Sequence, residues 1–85
     1  MVYLILTRRG FDEIRRSLMP EYPIWVNRGI LTEGEISQMR KEGFNVTNFK
    51  NEIPTGNLPS IGDAIAMVER HHPTERIWVE YVSDL

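Results

Sequence analysis

Strand-like and helix-like patterns alternate along the whole of this 85-residue chain, and basic residues stand just past each of the first three strands. Val2-Tyr3-Leu4-Ile5-Leu6-Thr7 runs into Arg8-Arg9-Gly10, Pro23-Ile24-Trp25-Val26-Asn27 into Arg28-Gly29, and Phe44-Asn45-Val46-Thr47-Asn48-Phe49 into Lys50. That alternation predicts a small parallel α/β domain, and in such domains ligands bind at the carboxyl ends of the strands.

The first strand, residues 2–7, is apolar on both faces, as an interior parallel strand should be. Phe11, Ile14 and Leu18 then recur at helical spacing. Asp12 and Glu13 fall in the expected first turn and Arg15 and Arg16 nearer the end, both placements that suit the helix dipole. Pro20 and Pro23 close this segment, and residues 24–27 form a second short apolar strand.

The second helix, residues 33–42, has the clearest local code. Thr32 at the N-cap with Glu35 three positions on makes a capping box, and Leu31 and Ile36 occupy the positions of a hydrophobic staple. Gly43 sits where a left-handed C-cap is wanted, so that Phe44 folds back onto Met39. The third strand, residues 44–49, is more polar, with Asn45 and Thr47 on one face. A ten-residue connector, 50–59, contains the turn-like Pro54-Thr55-Gly56-Asn57. Ser60 with Asp63 marks a second, weaker cap, and Ile61, Ala64, Ile65 and Val68 form an apolar stripe that ends at His71-His72-Pro73. Residues 76–82 form the fourth strand, which carries Glu80.

The expected order is therefore β-α-β-α-β-α-β over one domain, residues 1–85, and the chain reads as a complete small protein. Right-handed crossovers leave two common sheet orders, 3-2-1-4 and 2-1-3-4. Polarity favours 3-2-1-4. The apolar second strand belongs inside, while Asn45 and Thr47 suit one edge and Glu80 the other. In that order the first two helices share a face and the third is alone on the other. Four strands span roughly 19 Å and one helix covers about 10 Å, so about half of that face is left bare. Bare apolar surface of that size marks an interface. A homodimer covering it, through Trp25 or Trp78, is the expectation.

Composition narrows the function. With no cysteine, disulfides, thiolate chemistry and cysteine-rich zinc sites are all excluded. A net charge of −2 gives no global attraction to nucleic acid or anionic membrane. No apolar run approaches the roughly 20 residues of a membrane span. Residues 2–6 are too short for a signal core, and Arg8-Arg9 follows rather than precedes them. A cytoplasmic protein is the default.

Arg8, Arg9, Arg28 and Lys50 gather at one end of a parallel sheet, where arginine forks beside helix amides suit a phosphate or carboxylate. The simpler reading makes them solvated charges pairing with Asp12, Glu13 or Glu52, since short loops are commonly charged. Gly10, Gly29, Gly34, Gly43, Gly56 and Gly62 form neither a dinucleotide fingerprint nor a phosphate loop, so no cofactor is implied. In the 3-2-1-4 order the switch point places Arg8-Arg9 beside Ser83-Asp84.

His71 and His72 point about 100° apart on a helix and chelate a metal poorly, whereas the last turn of a helix favours histidine through its dipole. Glu80, on an edge strand facing water, discourages aggregation and has no partner acid. No serine has a nucleophile-elbow context. Residues 31–44 resemble the start of a helix-turn-helix, but strands flank that helix on both sides. No catalytic residue is assigned. A non-catalytic interaction or regulatory module is the leading expectation, and a small anion-binding or phosphate-processing protein the alternative.

Overall fold

Three of the four residues of β1 (Val2–Ile5) are fully buried, which only a central strand with covered faces allows. The computed structural model describes residues 1–80. Within them β1 is flanked by β2 (Ile24–Val26) and β4 (Ile77–Val79), and β2 is followed outward by β3 (Val46–Asn48). Every neighbouring pair is parallel, so the order is 3-2-1-4 and the alternative 2-1-3-4 falls away. Burial follows the polarity argument. All three residues of β2 are buried, while all three of β4 and the polar Thr47 and Asn48 of β3 are half-exposed.

The first helix, α1 (Arg8–Ile14), starts earlier than its apolar spacing predicts and ends in a 3-10 turn, Arg15–Ser17. Thr7 is the cap: its hydroxyl accepts the Gly10 amide at 3.0 Å. Asp12 and Glu13 consequently lie beyond the first turn, one turn after Arg8 and Arg9. The second helix, α2 (Glu33–Lys41), has the expected capping box, with Glu35 N donating to Thr32 Oγ1 at 3.1 Å and Thr32 N donating to Glu35 at 2.9 Å. Gly43 adopts φ +95°, and the amides of Gly43 and Phe44 reach back to the carbonyls of Arg40 and Met39. Thr32→Ala therefore removes the hydroxyl arm of the box, leaving the Glu35 amide without its cap while the bond from the residue-32 amide to Glu35 survives. It should cost about 1 kcal/mol, read as a melting temperature lower by about 4–8 °C.

The third helix, α3 (Leu58–His71), also begins early, because Asn57 rather than Ser60 caps it. Asn57 accepts the Ser60 amide at 2.9 Å, and Pro59 in the first turn forfeits no hydrogen bond there. Residues 81 and 82 of the expected fourth strand, and Ser83-Asp84, lie outside the described residues.

Two cores sandwich the sheet. Ile5, Ile24, Val26 and Val46 pack with Phe11, Leu18, Ile36 and Met39 on the α1–α2 face. Val2, Leu4, Leu6 and Trp25 pack with Ala64 and Val68 of α3 on the other. Phe49, just past β3, and Ile53 of the connector join this second core, so part of the face that helix counting leaves open is closed by the chain itself. The uncovered part lies toward β4.

Candidate functional site

Parallel strands deliver Thr7, Asn27, Lys50 and Glu80 to one pole, the carboxyl ends of β1, β2, β3 and β4. Glu80 does not face water there. Its Oε1 accepts the amides of Leu6 and Thr7 at 2.8 and 2.9 Å, and its Oε2 accepts the Thr7 hydroxyl. The carboxylate rests so closely on Gly10 that a Cβ at that position would collide with it. Expecting a solvated edge charge misplaced this residue. Residue 80 shares the face of Trp78, and that face meets the turn entering α1. The turn at the end of β1, where an anion would be held in a doubly wound sheet, is filled by the chain's own carboxylate.

Asn27 closes the pole beside it. It is 3% exposed, and its amide nitrogen donates to the carbonyls of Leu6 and Ile53, both at 3.0 Å. Its side-chain oxygen accepts the Ile53 amide at 2.8 Å. The connector is thereby tied to the ends of β1 and β2. Sequence patterning treated Asn27 only as the last residue of a strand. The one available signal was a polar residue ending an otherwise apolar run.

The four basic candidates stand at this pole but do not converge on a shared point. Arg8 lies against α2, where Nη1 contacts both oxygens of Glu35 at 2.7 and 2.8 Å, and its Nε bonds Asp12 at 3.1 Å. Arg9 pairs with Glu13 at 3.3 Å. Arg28 and Lys50 are exposed and make no ion pair among the described residues. The Thr32 amide, and after it the Arg8 guanidinium, hold the Glu35 carboxyl below its ordinary range, while Glu35 foremost raises Arg8. A lowered carboxyl supports the fold above its unfolded range. The contribution of Glu35 is therefore complete at neutral pH and fades as acid protonates it.

The two tryptophans lie on opposite faces. Trp25 is 5% exposed, against Phe49 and the two histidines, and donates from Nε1 to His72 Nε2 at 3.2 Å. Its ring is consumed by its own chain and is not interface surface. The same contact occupies His72, while His71 Nδ1 meets the Met67 carbonyl at 2.9 Å. No cluster of three potential metal ligands occurs among the described residues. Trp78 is half-exposed on the α1–α2 face, its ring 5.6 Å from that of Tyr3.

Open surface concentrates on the α3 face. A groove of about 1050 Å³ runs between α3 and the β4 edge, lined by Ile65, Ile77 and Val79 together with the charged Asp63, Glu69 and Arg70. A second groove, of about 660 Å³, lies on the opposite side of α3, toward the connector.

Fold and pole define a small parallel α/β domain whose strand-end polar groups are largely satisfied from within. Comparison with known proteins returns no match for the chain, whether with family models, curated proteins or solved structures. No described helix is long and apolar enough to cross a membrane.

Proposed function

We propose that this chain is a non-catalytic cytoplasmic interaction module that works as a homodimer through its half-exposed strand β4. The observation that carries this reading is the unfinished state of β4. All three of its residues are half-exposed, and two of them line the larger groove. The self-satisfied strand-end pole supports the non-catalytic part, since Glu80 occupies the amides an anionic substrate would need.

Self-association makes thermal stability depend on protein concentration. The melting temperature should rise across a hundredfold concentration series without added ligand, and light scattering should give twice the chain mass at the upper end. A monomeric mass throughout defeats the reading. A melting temperature raised instead by phosphate or sulfate, and no longer raised in Arg28→Ala, moves the function to an anion site.

A further inference from the structure

We infer that the second copy adds its β4 antiparallel to β4 of the first, about a two-fold axis at Trp78, so that two four-stranded sheets become one of eight strands. The inference rests on the homodimer reading and specifies its geometry.

The phase of the edge comes first. On β4 the Arg76 carbonyl accepts the Val2 amide at 2.8 Å, and the Glu80 amide donates to the Leu4 carbonyl at 3.0 Å. Trp78, between them, lies in register with Tyr3. Even-numbered residues of β4 thus turn their backbone groups toward β1, and Ile77 and Val79 turn theirs to the open side. An antiparallel pairing centred on Trp78 sets Ile77 opposite the partner's Val79 and Val79 opposite the partner's Ile77. Both are hydrogen-bonded pairs, which gives four backbone bonds. A slip of one residue sets outward-facing groups against inward-facing ones and forms none.

Charge selects this register among those the phase allows. Arg76 is exposed and makes no ion pair among the described residues. Centring on Trp78 sets it across from the partner's Glu80, on the same face and twice per dimer; that carboxylate keeps its bonds to Leu6 and Thr7, so the attraction acts through charge alone. A centre on Ile77 sets Arg76 against tryptophan instead.

Edge protection distinguishes β4 from β3. The Arg40 guanidinium donates to the Val46 carbonyl at 2.8 Å and blunts the β3 edge. Among the described residues no side chain hydrogen-bonds the backbone of Ile77 or Val79. The edge left open is the one whose flanking charges are complementary to themselves under two-fold rotation.

Amide hydrogen exchange followed by NMR, above and below the dimerisation midpoint, tests the geometry. The Ile77 and Val79 amides should exchange at least tenfold more slowly in the dimer, with Val46 and Asn48 unchanged. Arg76→Glu sets like charges opposite each other at two points. It should weaken dimerisation at least tenfold while leaving the melting temperature of the dilute monomer unaltered. A dimer whose Ile77 and Val79 amides exchange as fast as in the monomer refutes this strand pairing but leaves self-association standing. A chain that stays monomeric removes both.

Discussion

Asn27→Asp is expected to be among the most destabilising isosteric changes available in this chain. It keeps the shape of the side chain and the acceptor for the Ile53 amide, but replaces the donor facing the Leu6 and Ile53 carbonyls with a charged oxygen. Two buried carbonyls lose their partner, and a carboxylate is held against them in a site 3% exposed. The expected cost is about 3–5 kcal/mol, a large share of the stability of a domain this small. Denaturant unfolding at pH 7 measures it, and the melting temperature should fall by at least about 12 °C. The pH dependence has a definite sign. Burial raises the introduced carboxyl above its unfolded range, so the penalty grows with rising pH and shrinks as acid restores a proton that can be donated.

The second large effect lies at Gly10 and Glu80, and its signature is a reversal. Glu80→Ala strands two amides and a hydroxyl and should cost about 2–3 kcal/mol, or at least about 8 °C in melting temperature. Gly10→Ala should cost nearly as much, because the new methyl displaces the carboxylate. Once Glu80 is already alanine, the same Gly10→Ala change no longer meets the three carboxylate atoms that stand nearest to it. It should then stabilise by about 0.5–1 kcal/mol, the ordinary preference of a helix for alanine over glycine. Thermal denaturation of the two single variants and the double variant measures the coupling. Additive effects would show that the carboxylate does not occupy the space above Gly10.

What could be read from the sequence was whatever has a period or a local code. The apolar run of β2 and the mixed β3 place the strands in order, because burial on two faces and on one leave different residue patterns. The capping box at Thr32 and the left-handed Gly43 mark both ends of α2 because each lies within a few residues of what it satisfies. The starts of α1 and α3 were missed for a related reason. Thr7 and Asn57 cap without an acid at the third position, so neither resembles a box, and Thr7 continues an apolar strand. Asn27 and Glu80 were missed because their partners are remote. Asn27 reaches 26 residues to Ile53, and Glu80 reaches 74 back to Leu6. Nothing local in a sequence marks such a contact. Trp25 reads as a surface candidate in the sequence because the connector's return over it depends on Phe49 and Ile53 seating in the same core.

The placement of β1 at the centre of the sheet also governs when the fold can form. Its residues pair on one side with β2, some twenty positions on, and on the other with Ile77–Val79, some seventy-five positions on. During synthesis the nascent chain can assemble the α1–α2 layer early, but one flank of its central strand stays unsatisfied until residue 80 has emerged. Cotranslational folding should therefore pause at a three-stranded sheet whose central strand shows an unpaired backbone edge, a species that offers a chaperone or a second chain a strand to bind.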